Sequence, residues 1–584
     1  MSKYRCTICN WIYDETKEGK TFEKVSDDFF CPVCNAKRNA FVLLSKESGK
    51  VKIAGRTVSD VFIDQISEWG VKYVFGLPGT SSLGLVDACR KNSKITYIQV
   101  RHEQTAAFMA GAYGKLTGHI AACLTIAGPG ATNLATGLYD AKLDNAPVLA
   151  LTGLAPRETI GQKSFQEIDQ HSFFEPITVF NEVLMSKEQT NSLATLAIKH
   201  ALLKKGVSHI SFPNDIQKLL YNENILPFEG RIANKSVTPC SHMIRKAAMV
   251  IDKSKKPVII AGYGAMGFGH YVKELAEKIG APIVTTFRAK GIIDEIDNFC
   301  AGCHGGIGTL AATTMVQESD LLIVLGASYA PHTLLPEKKT VQIDIDAMAL
   351  GKKYPVEVGL WGNITESLPK LIRELKTKDN KQTLLKMLRL KKNWEIQLNK
   401  EADSSKKPIK PQYIIKMLSH LLPDDAVISL DVGDNSWWFG RNFQMKHTQK
   451  MIMTGYLAAM GPGFPGAMVA KLVYPNREAV CITGDGGFAM VMGDFMTAVK
   501  NKLNVKIFIF NNKQFGMIRQ EQKIEKYQNW QTDLLNCDFA KFAENCGGIG
   551  IKVTEPLKLE AAIKKALSIN QPVIVDIDTD PNRF

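Results

Sequence analysis

The sequence predicts an α/β fold, with three parallel-sheet domains in series behind a small cysteine-rich module. Two observations carry this. Short β-branched runs alternate with helical stretches through three successive units, and that alternation implies parallel sheets. Ahead of them, residues 1–46 hold two Cys-x-x-Cys pairs, Cys6/Cys9 and Cys31/Cys34. A chain of 584 residues has room for roughly three to five domains, each with its own core. Apolar residues at 45% and charged residues at 22% are ordinary for a globular protein.

The first module can supply four thiolates from two short loops, a tetrahedral set that suits zinc or a single iron. The N-terminal MSKYRCTICNW has no apolar core segment, so no signal peptide is expected. In a reducing cytoplasm the paired cysteines read as metal ligands rather than disulfides. Around them stand Tyr4, Tyr13-Asp14, Phe22, Asp27-Asp28-Phe29, Pro32 and Phe41. This pattern resembles rubredoxin across the whole segment, which implies an aromatic core beside a redox-active iron. The loop between the pairs is shorter than in typical rubredoxins. Asn10 and Asn35 replace the glycine that usually follows each pair, and asparagine tolerates left-handed backbone better than most residues. A structural zinc site is the alternative.

After a short polar bridge, residues 51–222 form the first large unit, with YVFGLPG, ITYIQV, IAACLTIAG, PVLALTG and HISFP as its strand runs. A linker follows, then a second unit over 238–375 built on PVIIAGYG, APIVTTF, LLIVLG and TVQIDID. The third spans 410–584 with AVISLDVG, EAVCITGDGG, VKIFIFNN and PVIVDID. The net charge is +14, and much of the excess lies between Lys376 and Lys410. That stretch lacks a clear apolar period and reads as a solvated linker, so no nucleic-acid partner is expected. No run of about 18 apolar residues occurs, so no membrane span is expected.

The strongest motif lies in the third unit. Gly484-Asp485-Gly486-Gly487 follows one strand, and Asn511-Asn512 ends the next, with Asp485 and Asn512 27 positions apart. A diphosphate needs a neutralising Mg²⁺, which prefers hard oxygen ligands. The Asp485 carboxylate, the Asn512 amide oxygen and a backbone carbonyl at Gln514 can supply three, and the glycines let N–H groups approach a phosphate. These paired motifs resemble those of the thiamine-diphosphate decarboxylase and oxidase superfamily. The resemblance covers roughly residues 51–584 and implies three doubly wound domains of that enzyme fold.

The superfamily activates its cofactor through a glutamate that hydrogen-bonds the pyrimidine ring, and Glu103 in Arg101-His102-Glu103-Gln104 is the match. Gly79 and Thr80, in Phe75-Gly76-Leu77-Pro78-Gly79-Thr80, resemble the turn at the substrate end. Phe165-Gln166, 62 positions after Glu103, resembles the pair lining the active centre of pyruvate oxidases. Met460, 25 positions before Asp485, matches the bulky residue that wedges the cofactor into a bent shape, although a methionine is often core filler.

The segments GDGGFAMVMG and NNKQFGMIRQEQ look most like pyruvate oxidases and quinone-linked pyruvate dehydrogenases. Acetohydroxyacid synthases carry a tryptophan where this chain has Glu521, whose carboxyl could handle protons at the reacting carbon. Met517 replaces a phenylalanine often found between thiamine and flavin. The His-His pair of phenylpyruvate-type and indolepyruvate-type decarboxylases is missing, since His102 and His171 stand singly.

The oxidase resemblance implies FAD in the middle unit. Gly262 and Gly264 form a glycine turn after a strand, and Asp344 is the first aspartate of QIDID; such a turn by itself is a weak signal. Cys300 and Cys303 form a further Cys-x-x-Cys, read as buried thiols with a redox pair as the alternative.

The expected activity is thus oxidative decarboxylation of pyruvate or a related 2-oxo acid, with electrons passed to the rubredoxin iron, from which a redox partner protein could take them. An acetolactate-synthase-type carboligase, a non-oxidative decarboxylase and, in another class, a redox- or iron-sensing regulator are the alternatives. A cytoplasmic homodimer or homotetramer is implied, because the superfamily builds each cofactor site from two subunits. The sequence ends at Phe584 without the amphipathic tail of the quinone-linked enzyme, so no membrane partner is expected.

Overall fold

The computed structural model describes residues 2–6, 11–34, 36–44 and 55–582. It divides into two units, Met1–Arg56 and Thr57–Phe584.

The small unit is a three-stranded antiparallel sheet. Lys3–Cys6 lies centrally, between Ile12–Asp14 and Phe41–Leu44. So short a chain buries little aliphatic surface, and rings make its core. Tyr4 stacks on Phe22 at 4.2 Å between centroids, and Tyr13 and Phe41 approach the same ring at 5.0 and 5.3 Å. Glu15 is buried, and its carboxylate accepts from the Phe22 and Ser2 amides at 2.9 and 2.6 Å. Those two amides hold it below the usual carboxylate range.

The large unit contains three six-stranded sheets whose pairings are all parallel. Their central strands, such as Ala121–Thr125, Val148–Leu154, Leu321–Leu325 and Val505–Asn511, are buried at every residue. Covered on both faces, they read as continuous apolar runs rather than alternating ones. In the first and third domains the strands share one spatial order, second-first-third-fourth-sixth-fifth in chain order. The middle domain has the order third-second-first-fourth-fifth-sixth, the arrangement of dinucleotide-binding folds.

In such sheets ligands bind beyond the carboxyl ends of the strands, where the order reverses. In the first domain this point lies between Tyr73–Gly76 and Ala121–Thr125. In the middle domain it lies between Pro257–Ala261 and Leu321–Leu325. In the third it lies between Val427–Leu430 and Ala479–Gly484. Gly79, Gly262 and Asp485 follow three of these strands, while Glu103 and Asn512 follow strands next to them, Thr96–Gln99 and Val505–Asn511.

Helix Glu103–Thr117 packs on helix Gly463–Val473, joining the first and third domains in one core. Small residues of both helices, Ala106, Ala110, Ala467 and Ala470 among them, lie in that core. The basic stretch differs from the expected solvated linker. Lys381–Glu401 forms a 21-residue helix in which Met387 alone is buried. It is tied to the third domain by Arg441, which bonds Glu401 at 2.7 Å and lies 4.3 Å from the Trp394 ring centre. Its other basic side chains leave almost no apolar period to read. No helix among the described residues is long and apolar enough to cross a membrane.

Candidate active site

The site is built first around two carboxylates of the third domain. Asp485 opens a short helix after strand Ala479–Gly484 and is buried. Its Oδ2 accepts from the Lys513 amide at 2.9 Å and from Asn536 Nδ2 at 2.6 Å. Burial pushes its pKa up to about 6 despite these bonds. The Asn512 side-chain oxygen accepts from the Gln514 amide at 3.2 Å. Asp485, Asn512 and Gln514 are thus brought together. A buried carboxylate beside amide oxygens is a donor set that fits Mg²⁺.

Asp431 directly follows the neighbouring strand and is fully buried. Its Oδ1 accepts from the Val432 and Gly461 amides at 2.8 and 2.9 Å, and its Oδ2 from Thr483 Oγ1 at 2.9 Å. Burial again pushes the pKa to about 6. The folded protein therefore holds this proton more tightly than the unfolded chain. The stability it contributes is complete below the unfolded value near 3.8 and is lost as pH rises through about 6. The loss is at most about 3 kcal/mol. Asp431→Asn cannot ionise, so its melting temperature relative to wild type should rise between about pH 5 and about pH 7.5. A constant difference across that range would contradict this.

Glu103 stands at the first position of helix Glu103–Thr117, where the helix dipole favours a carboxylate. It is buried, and its Oε2 accepts from Asn133 Nδ2 at 3.0 Å. A Cβ on Gly130 would lie 3.1 Å from Glu103 Oε1. Two residues earlier, Gly128 has a φ of +64°, and a Cβ there would lie 2.7 Å from the Gln166 carbonyl oxygen. The turn Gly128–Gly130 thus holds Glu103 on one side and Gln166 on the other. Glu167 shapes the Phe165–Gln166 loop by accepting from the Gly161 and Ser164 amides at 2.5 and 2.7 Å. Phe165 itself is 87% exposed. Gly79 packs on Ile126 of the same region, and Thr80 is exposed.

Met460 is half-buried in an irregular segment. The next residue, Gly461, lies against the turn at Gly487, and a Cβ on it would be 3.7 Å from the Gly487 carbonyl oxygen. Met517 and Glu521 ride on helix Gly516–Ile524, which buries no residue; Met517 is half-buried and Glu521 exposed.

In the middle domain Gly262 and Gly264 meet Gly326 at the point of strand reversal, and a Cβ on either would collide with the Gly326 backbone. Their glycine character serves this close contact. Asp344 is buried and its pKa raised by that burial. Cys300 and Cys303 are fully buried, and burial pushes each thiol up to about 12, far from the thiolate that redox chemistry requires.

In the small unit the Sγ atoms of Cys6, Cys31 and Cys34 lie within 4.8 Å of one another, with Cys6 and Cys34 at 3.6 Å. A tetrahedron of thiolates about 2.3 Å from a metal has edges of about 3.8 Å. Cys9 lies outside the described residues.

Sequence reasoning missed Asp431, Asn133, Asn536 and Glu167. Asp431 carried a signal, an acidic residue directly after a strand and two positions before a glycine. The others show none, because their partners are distant in sequence or part of an irregular loop.

A buried glutamate and an oxygen-donor set beyond the carboxyl ends of strands in two like sheets define the class as an α/β enzyme holding a diphosphate cofactor. Comparison with known proteins specifies it. Residues 56–173, 244–371 and 431–577 match the N-terminal TPP binding, central and C-terminal TPP binding domains of thiamine pyrophosphate enzymes. Residues 3–41 match rubredoxin. The chain belongs to the thiamine pyrophosphate enzyme family and carries a rubredoxin domain at its N-terminal end. It is 38% identical over 527 residues to "Putative thiamine pyrophosphate-containing protein YdaP" of Bacillus subtilis, covering 90% of this chain and 92% of that protein. It is 31% identical over 477 residues to "Acetolactate synthase isozyme 1 large subunit" of Escherichia coli, covering 80% and 84%. Identity to "Acetolactate synthase" of Mycobacterium bovis is 31% over 548 residues, covering 89% and 87%.

Proposed function

We propose that this enzyme decarboxylates pyruvate or a related 2-oxo acid and joins the remaining acyl unit to a second 2-oxo acid, as an acetolactate-synthase-type carboligase. The observation that carries the decarboxylating step is buried Glu103 on one domain paired with the Asp485–Asn512–Gln514 oxygen set on another. The names of the E. coli and M. bovis relatives support the carboligating fate.

Thiamine diphosphate, when bound, supplies the nucleophilic carbon and the electron sink for loss of CO₂. In this reading Asp485, Asn512 and the Gln514 carbonyl hold Mg²⁺, while Gly484, Gly486 and Gly487 admit the diphosphate to the helix start. Glu103 holds a proton between its carboxyl and the pyrimidine ring. Met460 props the cofactor, and Gly79, Thr80, Phe165 and Gln166 line the substrate end. The two half-sites lie on different domains, so we propose that a second copy completes each site in a homodimer or homotetramer. The location is the cytoplasm, where the cysteine pairs stay reduced.

A specific observation favours a second reading. A rubredoxin-type cysteine set, holding iron, offers a one-electron outlet that carboligation does not need. Glu521 in place of the synthase tryptophan points the same way. Oxidative decarboxylation of this kind would use FAD held near Gly262, Gly264 and Asp344, with Met517 on the route. His304, which follows the edge strand Cys300–Cys303 of the same sheet, is buried; its Nε2 meets the Leu334 carbonyl at 3.4 Å, and its Nδ1 has no hydrogen-bond partner among the described residues. Such an orphan fits a polar ligand there.

Incubating the full chain anaerobically with pyruvate, Mg²⁺ and thiamine diphosphate separates the readings. Acetolactate is the expected product. Acetate with bleaching of the ferric absorption, and no acetolactate, would replace the carboligase with the oxidative reading.

A further inference from the structure

Between Gly455 and Gly461 the chain leaves strand Lys450–Met453 and carries Met460 to the turn at Gly487. The segment is irregular, and Ala458 within it adopts a φ of +54°. A non-glycine residue in that region is held there by its surroundings. Both ends of the segment are pinned by buried carboxylates. At the far end Asp431 accepts from the Gly461 amide. At the near end the carboxylate comes from another domain. Asp144 Oδ2 accepts from the Gly455 amide at 2.9 Å, and Oδ1 from the Tyr456 amide at 3.4 Å.

Asp144 is itself fixed by charge. Lys115 Nζ lies 2.6 Å from it and 2.6 Å from Asp140, and Arg288 Nη1 of the middle domain lies 2.8 Å from it. Asp140, Asp144 and Lys115 expose at most 5% of their side chains. Arg288 also lies 4.2 Å from the centre of the Tyr263 ring, and Tyr263 donates to the Lys115 carbonyl at 3.3 Å. Burial works to raise the Asp144 pKa, yet Lys115 and Arg288 outweigh it and hold the carboxyl below its ordinary value. Lys115 also donates to the Met453 carbonyl at 3.3 Å. The residues at this junction thus come from all three domains and converge on the root of one short segment. A buried ion network is weak evidence for stability alone, and this one is aimed at backbone amides.

We propose that Asp144 is a positioning residue that sets the height of Met460 in the cofactor cleft, so that the docking of the three domains fixes the shape in which thiamine diphosphate is held. This rests on the role given to Met460 above.

The test uses the full chain with Mg²⁺, titrating thiamine diphosphate and following the near-ultraviolet circular dichroism of the bound cofactor. Two variants approach the clamp differently. Asp144→Asn removes the charge. Gly455→Ala keeps all four charges, but its Cβ would collide with Arg288 and Asp144, so it remains informative if Asp144→Asn fails to fold. Both should weaken cofactor affinity by roughly 5- to 100-fold and change the dichroic band. In a Met460→Ala background each should cost less than about twofold, because residues acting through one another are non-additive. The same loss in both backgrounds, or an unchanged band with only a lower melting temperature, would overturn the proposal. Wild type that binds no thiamine diphosphate would instead overturn the parent reading, and this one with it.

Discussion

Glu103→Gln should lower turnover of a 2-oxo acid by about 10²- to 10⁴-fold, the range for removing a positioned acid–base group. The substitution is nearly isosteric. The new side-chain oxygen can still accept from Asn133, whose bond to Glu103 is 3.0 Å long, so the fold and the turn at Gly130 should survive. The loss of a negative charge at the helix start costs only about 0.3–1 kcal/mol. What disappears is a carboxyl group able to share a proton with the cofactor's pyrimidine ring. Affinity for thiamine diphosphate should therefore change far less than turnover, and the pH–rate profile should lose a limb. Steady-state rates and a cofactor titration on the same preparation check both points. Turnover within a few-fold of wild type would remove Glu103 from the chemistry.

Asp485→Ala is expected to abolish Mg²⁺-dependent binding of the cofactor. In the proposed Mg²⁺ set Asp485 would be the charged ligand, and the remaining donors are neutral oxygens. Its loss should exceed the roughly 10- to 100-fold penalty seen when a partner behind a metal ligand is removed. Asn536 supplies that comparison, since it donates to Asp485 Oδ2 at 2.6 Å. Asn536→Ala should fall within the 10- to 100-fold range and recover with excess Mg²⁺. Calorimetric titration with thiamine diphosphate, at low and high Mg²⁺, separates the two. Equal effects for both variants, or none for Asp485→Ala, would show that Asp485 is not a metal ligand.

What could be read from the sequence was local. Gly484-Asp485-Gly486-Gly487 and Asn511-Asn512 end consecutive strands, so their spacing alone placed Asp485 beside Asn512. Glu103 was legible through the resemblance of Arg101-His102-Glu103-Gln104 to the superfamily's segment, supported by its place after a strand and at a helix start. The cysteine module was legible from its paired ligands and its rings.

The rest depended on tertiary geometry. Asp431 matters because its strand borders the point where the sheet order reverses, and that order is set by pairings between distant strands. Asn133 and Asn536 reach their carboxylates across 30 and 51 positions. Asp144 meets Gly455 across 311, a distance at which no spacing rule operates. The helix Lys381–Glu401 escaped notice for another reason. Its packed face, Met387 with partly buried Leu384, Leu388 and Leu390, is interrupted by closely spaced basic residues that obscure the period.

One measurement bears most directly on the central claim, that this chain breaks the bond between carboxylate and carbonyl of a 2-oxo acid with thiamine diphosphate. It is the release of labelled CO₂ from carboxyl-labelled pyruvate by the full chain, with and without the cofactor and Mg²⁺. Label should be released only when both are present, and Glu103→Gln should suppress it. No release from pyruvate or any related 2-oxo acid, with both cofactors bound, would contradict the claim.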